Sequence, residues 1–437
     1  SSDVCSSDLN LDTRELPDGI TFLTANAYLG GEPVTAALAG GADVVITGRI
    51  TDAALAVGPA AWWHGWSYAD AAAGDAGALD AFAGAIVAGH AIECGAQVTG
   101  GNYSFFTEVP GLEHPGFPIA EIAADGSSII TKHAGTGGAV TVGTVTAQLL
   151  YEIGGAAYAN PDATARFDTI RLTQDGPDRV RIDGVRGELP PERLKVAATY
   201  LGGFRNSMTL VMTGLDAGAK ADLALRTVTG LGLVEATDPA ASSTRLAQRS
   251  RLSVRDLIVD WMPAEGDDPS TTDQAQSLLR ITVRDMDPKA VGKPFTTSVV
   301  ESALASYPGM FPTAPPEDGS PYGVYWPTTI ARDAAMATVH VDGGQRRIPV
   351  RWPEGAGPQV TSPASPVAPV GTGPVIAVPL GRLIGARSGD KGGDANIGVW
   401  VPAAVPDEAY AWIVNFLTED RVRELLPEAA QIGRAHV

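Results

Sequence analysis

Strand and helix signals alternate from the first readable stretch of the chain. Residues 20–25 are apolar and β-branched, 26–31 break the pattern, and Pro33 stands where the first turn of a helix tolerates proline. The spacing predicts a helix over 33–39, ended by Gly40-Gly41, and a second buried strand over 43–47. Strand, helix, strand is a βαβ unit, with parallel strands and a right-handed crossover. Ligands bind outside the carboxyl ends of such strands, which puts Asn26 and Tyr28 beside Gly48, Arg49 and Asp52. An alanine-rich stretch, 77–94, predicts a long helix stopped by Gly95, with His90, Glu93 and Cys94 on one face. Glu93 faces the negative end of the helix dipole, a placement disfavoured by about 0.3–1 kcal/mol. It reads either as a functional acid or as a surface glutamate with His90 stabilising the helix end.

Two glycine-rich turns follow, Thr99-Gly100-Gly101-Asn102 and Gly135-Thr136-Gly137-Gly138. The second precedes 140–153, whose start reads as strand or helix; if helical, its amides offer a seat for phosphate or carboxylate. Neither turn matches a Walker loop or a dinucleotide fingerprint. Longer strands are predicted over 167–173 and 179–183 around the turn Gln174-Asp175-Gly176-Pro177, and over 194–200 and 208–213 around Gly202-Gly203-Phe204-Arg205-Asn206. Arg205 in that glycine turn would suit a carboxylate. Strands over 278–286 and 337–341 and a helix over 294–306 complete the body. Pro, Gly, Ser and Val then replace all periodicity over 353–374, which reads as a stiff linker. The last module is expected to be a strand over 375–384, a polar loop over 386–396, a strand over 397–401 and a helix over 407–426 with Tyr410, Ile413, Phe416 and Leu417 on its apolar face. The loop is longer than a turn requires and carries Arg387, Ser388, Asp390, Lys391, Asp394 and Asn396, suited to a polar or anionic ligand. The fold class is therefore an α/β main body with an α+β continuation, followed by a small α+β module.

The two ends change how composition is read. Asp3–Leu9 is what GAC GTG TGC TCT TCC GAT CT encodes, and Ile432–Val437 is what its reverse complement encodes. Both read as sequencing-adapter scars, 1–9 and 432–437, which leaves 10–352 as main domain and 375–431 as a truncated module. On this reading both natural termini are missing, and edges left unpaired by the loss should show as exposed apolar surface. The chain carries 31 basic and 50 acidic residues, net −19, or −18 without Asp3, Asp8 and Arg434. Such acidity argues against nucleic acid and anionic membrane partners. With Cys5 in the scar, Cys94 is the sole remaining cysteine, so no disulfide framework forms and a reducing cytoplasm is expected. No apolar run has transmembrane length. His64, His114, His133 and His340 show no metal spacing, and no metal is assigned.

Several strings now support a resemblance: Thr24–Gly31, Gly41–Asp52, Glu93–Asn102 and Val142–Glu152, with Arg387-Ser388-Gly389-Asp390-Lys391-Gly392 and Ala395-Asn396-Ile397-Gly398. Together they resemble the acyclic terpene utilization (AtuA) family. The resemblance implies a ferredoxin-like C-terminal module and a part in bacterial breakdown of acyclic terpenoids such as citronellol and geraniol through branched acyl-CoA intermediates. It supplies no catalytic roles. The expected activity is acid/base chemistry of lyase or hydratase type on a branched acyl-CoA or carboxylate. Asp52, Glu93, Asp390 and Lys391 are the candidate catalytic residues. Asn26, Tyr28, Arg49, Gly100, Gly101, Asn102, Arg205, Arg387, Ser388 and Asn396 are the candidate binding residues. The alternative is a noncatalytic binding or assembly subunit. Partners are a small-molecule substrate, with a CoA thioester and a homo-oligomer left open. The cofactor is unknown; a nicotinamide enzyme would need a glycine fingerprint that the chain does not show.

Overall fold

A computed structural model describes residues 20–426, apart from 239, 265, 267–268, 306, 350–375, 392–393 and 403. The proposed linker and both adapter-like ends lie outside the described residues. The fold is mixed α/β, with several sheets and eleven α-helices among the described residues. None of those helices is long and apolar enough to cross a membrane. The described residues fall into two compact units, 25–198 with 327–426, and 20–24 with 199–326.

The first unit is built around the helix Ala76–Ile92, capped by Asp75, whose carboxylate accepts from the Ala78 amide at 2.8 Å. Alanine and glycine dominate it, and from Phe82 to Ala91 every residue is buried. A helix apolar on all sides belongs in a core. Phe82, Ile86 and Val87 pack there with Val57, Tyr68, Ile130, Val145 and Ile182. Missing side chains permit close approach: a Cβ on Gly89 would lie 2.8 Å from the Ala53 backbone. A four-stranded antiparallel sheet, ordered Pro118–Ile122, Ser128–Lys132, Arg179–Asp183, Arg171–Gln174, and a three-stranded one, Ala157–Ala159, Thr164–Arg166, Arg186–Glu188, complete this core. Phe167–Thr169, expected as strand, is a 3-10 turn.

The predicted βαβ unit is realised in part. The strand Phe22–Ala27 and the helix Glu32–Ala39 form. Parallel pairing across them is a single bridge, Leu29 to Ile50, with the Thr51 amide donating to Leu29 O at 2.9 Å. Residues 43–47 are not a strand, and Val44 and Ile46 are 79% and 94% exposed. Among the described residues no neighbour pairs with them, and apolar β-branched sequence does not make a strand without a partner.

The helix Glu32–Ala39 is fastened at its start by a distant carboxylate. The Gly31 amide donates to both oxygens of Asp162 at 2.9 Å, and a Cβ on Gly30 would run into that carboxylate. Thr35 Oγ1 donates to Gly58 O at 2.9 Å and lies 3.3 Å from the Tyr68 hydroxyl. Asp162 is 3% exposed. Burial pushes its carboxyl up to about 6, against a lowering by the Gly31 amide and the Arg332 charge.

The second unit centres on an antiparallel sheet in which Gln276–Asp285 pairs with 204–213 on one edge and Asp256–Met262 on the other. Met208, Leu210, Leu225, Leu257, Leu279, Ile281 and Phe295 form its core, under the helices Ala217–Thr229 and Lys293–Leu304. The predicted glycine turn at 202–206 is instead the middle of one 21-residue strand, Arg193–Thr213. Gly203 has φ +119, and a Cβ there would lie 2.5 Å from Asp285 O, so the glycine accommodates a neighbouring backbone within a strand. Arg205 is exposed on that strand, opposite Arg284, and is no turn-borne clamp.

The C-terminal segment also departs from expectation. Residues 376–379 are irregular and Leu380–Arg382 is a 3-10 turn, where a strand was predicted. The predicted polar loop is a β-hairpin, Gly385–Lys391 paired with Asp394–Trp400. The final helix is two, Asp407–Phe416 and Glu419–Leu425, because the Thr418 hydroxyl accepts from the Arg421 amide and starts a new helix.

Asp162 gives the first unit a pH-dependent stability. Between the ordinary aspartate value of 3.8 and about 6 the folded form holds a proton that the unfolded chain has lost. The contribution is therefore fully present below the unfolded value and is lost as pH rises through about 6, a change on the order of 3 kcal/mol. Asp162→Asn, which keeps an oxygen for the Gly31 amide, is expected to match the parent protein in thermal unfolding at pH 4 and to exceed it at pH 8. Equal melting at pH 8 would contradict this account.

Candidate functional site

Three separated stretches of the first unit meet where the hairpin lies against the end of the helix Val142–Leu149. Thr141 caps that helix by accepting from the Thr144 amide at 3.2 Å, and the Thr144 hydroxyl accepts in return from the Thr141 amide at 3.0 Å. Gln174 Oε1 accepts from the Val142 amide at 3.2 Å and the Asp178 carboxylate from the Val140 amide at 2.9 Å. These amides serve the protein's own oxygens, and Asp178 is itself paired to Lys132 at 3.0 Å. The phosphate seat considered for this helix start is not formed.

A second set of polar contacts lies at the other end of the helix. Hairpin pairing sets Arg387 opposite Gly398 and Gly389 opposite Asn396, so all four share one face of a two-stranded ribbon. That face rests on Leu150, Tyr151 and Glu152. A Cβ on Gly389 would lie 2.5 Å from the Tyr151 ring, and one on Gly398 would lie 2.5 Å from Leu150 Cβ. Asn396 donates to Leu150 O at 2.7 Å and accepts from the Glu152 amide at 3.0 Å. Glu152 has φ +55, a left-handed conformation that costs a non-glycine residue roughly 1–2 kcal/mol, and the Asn396 bond holds it there.

Arg387 is buried, with its guanidinium carbon 4.2 Å from the centre of the Tyr151 ring. It donates to Gln97 Oε1 at 2.6 Å and to Ser388 O at 3.0 Å. The ring face and the two acceptors together fix the plane of the guanidinium. The Tyr151 phenol is hydrogen-bonded to Glu152. Burial, then that hydrogen bond and the Glu152 charge, with Cys94 adding, hold the phenol above the ordinary tyrosine range, while Arg387 pulls the other way. Tyr151 is thereby kept as a proton-bearing donor beside a carboxylate, a thiol and a guanidinium.

Of the predicted site residues, Arg387 and Asn396 stand at this junction, and Ser388 supplies a backbone carbonyl to it. Gly100, Gly101 and Asn102 follow Gln97 in a turn fixed by the Gly101 amide to Ala96 O at 3.0 Å and by Ala139 to Thr99 O at 2.9 Å. The side chains of Asp390 and Lys391 lie outside the described residues. Glu93 is sealed in the interior with His90, Oε1 to Nδ1 3.4 Å, the side chains 6% and 0% exposed. The surface reading of this pair is thus corrected. Tyr158 and Phe167 rings enclose the imidazole at 5.1 and 5.7 Å.

Tyr28 and Arg49 are brought together as expected, the guanidinium 5.2 Å from the ring centre, with Lys195 at 5.7 Å. Asn26 is exposed at the strand end. Asp52 is exposed and makes no side-chain hydrogen bond or ion pair among the described residues. Arg205 belongs to the second unit. Sequence reasoning missed Gln97, Tyr151, Glu152 and Asp162. Gln97, Tyr151 and Glu152 were present in the motif strings, but their partners are hundreds of positions away. Among the described residues no three His, Cys, Asp or Glu side chains group to hold a metal ion.

The glycine face yields a test. Gly389→Ala is expected to lift the hairpin from Tyr151 and raise amide hydrogen exchange across 385–400, at a cost of about 1–3 kcal/mol. Gly381→Ala, where a Cβ would meet nothing within 4 Å, is the control and should exchange like the parent. Equal protection in the two variants would overturn the packing argument.

No curated protein and no solved structure matches the chain. The family model described as acyclic terpene utilisation family protein AtuA matches residues 4–341, a span that includes Cys94, Gln97, Tyr151, Glu152 and Asp162 and ends before the hairpin. With about three quarters of its length matched, the chain belongs to the acyclic terpene utilisation family, AtuA, and its role is in acyclic terpene utilisation.

Proposed function

We propose that the protein is an enzyme acting on a branched carboxylate or acyl-CoA intermediate of acyclic terpene breakdown by acid/base chemistry. The observation that carries the proposal is the Arg387 guanidinium stacked on Tyr151, whose phenol is hydrogen-bonded to Glu152. Removing a proton next to a carbonyl needs a base within hydrogen-bond reach and donors aimed at the oxygen where negative charge develops. Glu152 is the base in this reading. Arg387 is the donor, Tyr151 holds the Glu152 carboxylate through its O–H, and Gln97 positions Arg387. A cytoplasmic location and a ferredoxin-like nature of the C-terminal module belong to the same proposal, as do auxiliary roles for Asp52, Glu93, Asp390 and Lys391.

A second reading has its own support. Arg387 and Asn396 spend hydrogen bonds on the protein itself, as a clasp for a binding subunit would. Turnover of a panel of branched and unbranched acyl-CoA thioesters, followed by mass spectrometry, separates the two. Tyr151→Phe and Arg387→Gln are each expected to reduce turnover by on the order of 10²–10³-fold while leaving the fold intact. Unchanged turnover in both variants would remove this site. Binding of the thioesters without any turnover by the parent protein would favour the noncatalytic subunit.

A further inference from the structure

The outer face of the sheet in the second unit sets two arginines side by side. Pairing of Gln276–Asp285 with its neighbours puts Asp256, Arg284 and Arg205 in one row across three strands, and Thr282 with Ser207 in the next row of the same face. That face points away from the core, because Leu279, Ile281 and Val283 alternate with these positions and are buried. Like charges directly opposite on antiparallel strands destabilise a sheet. The carboxylate in the row does not relieve the pair: Asp256 accepts from Arg255 Nε at 3.0 Å, from Thr244 Oγ1 at 2.8 Å and from Ser243 Oγ at 3.1 Å. Neither Arg205 nor Arg284 makes a hydrogen bond or ion pair among the described residues, although Arg284 is half-buried and its Nε is enclosed. Arg284 lies on the Tyr322 ring, its guanidinium carbon 5.3 Å from the centre, and the Tyr322 hydroxyl accepts from Arg255 at 2.6 Å.

We propose that Arg205 and Arg284 form a binding site for a phosphate group, contained within the second unit and independent of the reading given to Arg387. A phosphate dianion between the two guanidinium groups offsets both charges and gives each fork an acceptor. Its tetrahedral oxygens accept from several directions at once, whereas the oxygens of a carboxylate lie in one plane. The Ser207 and Thr282 hydroxyls, 2.8 Å apart in the adjoining row, add neutral donors along one side. Stacking on Tyr322, itself tied to Arg255, orders Arg284 without consuming its N–H groups. In a chain of net charge −19, cross-strand cations without carboxylate partners run against the composition, and an anionic ligand accounts for them.

Binding of inorganic phosphate, ribose 5-phosphate and acetate to the full chain is measured by isothermal titration calorimetry at constant ionic strength. Both phosphates are expected to bind, and acetate to bind more weakly than either. Arg205→Gln and Arg284→Gln are each expected to weaken both phosphates about tenfold, as loss of a charge-assisted hydrogen bond does. Arg346→Gln, which removes the same charge from an exposed position in the first unit, should leave them unchanged. Arg205→Gln is also expected to melt above the parent protein in phosphate-free buffer, because it removes the like-charge pair. Tighter binding of ribose 5-phosphate than of inorganic phosphate would assign the site to a phosphate ester, and equal affinity to the free ion; both support a phosphate site. Equal weakening by all three variants would reduce the effect to net charge and overturn the proposal. So would acetate binding as tightly as phosphate, or no binding of either phosphate by the parent protein.

Discussion

Two absent side chains decide where Arg387 stands. Gly389 and Gly398 bring the hairpin backbone into van der Waals contact with Tyr151 and Leu150, and a methyl group at either position would have to displace what it meets. Because pairing places Arg387 and Asn396 on the same face as these glycines, close approach and polar contact are one event. Asn396 ties the ribbon to the helix tail, and Arg387 reaches the ring and Gln97. Ordering an arginine costs up to about 2 kcal/mol of side-chain entropy. Here the ring face and two acceptors offset that cost by fixing the guanidinium in one position.

The same use of small residues runs through the core of the first unit. The helix Ala76–Ile92 is buried along most of its length because alanine and glycine let its neighbours pack onto its backbone. Its end then fixes two different environments within a few residues. His90 is enclosed by aromatic rings with Glu93 beside it, whereas Cys94 to Gln97 emerge into the partly exposed turn that meets Arg387. One helix therefore positions both an interior acid and the turn that meets Arg387.

Much of this was legible where the signal is local. Pro33 with the following Gly40-Gly41 marked one helix, and the alanine-rich run stopped by Gly95 marked another, because caps and breakers act on their own neighbours. The strand Arg179–Asp183 alternates buried and partly exposed positions, and its sequence shows the period. What failed depends on a distant partner. Residues 43–47 have the composition of a strand and lack a neighbour among the described residues, while 386–391 and 394–396 have the composition of a loop and are strand because they pair with each other and rest on Tyr151. Gly203 was read as a turn residue, yet its freedom serves the Asp285 carbonyl across the sheet. At the site, Arg387 and Asn396 were identified by their chemistry, whereas Gln97 and Tyr151 acquire meaning only through Arg387.

Three carboxylates of the first unit differ in what surrounds them, and access separates their roles. Asp162 is enclosed under Gly31 and serves as a helix fastening. Glu93 is sealed beside His90 in the core. A base has to come within about 3 Å of the proton it removes, or within one water of it. Glu152 is half-buried at the meeting of helix tail and hairpin, with a phenol bonded to it and a guanidinium stacked on that ring. Its left-handed backbone turns the chain there, and the strain is offset by Asn396 from the hairpin. Strain maintained by a distant partner is a cost that a purely structural glutamate would have little reason to carry. Access and strain together set Glu152 apart from the two enclosed carboxylates, and the Asn396 bond makes the hairpin a part of its surroundings.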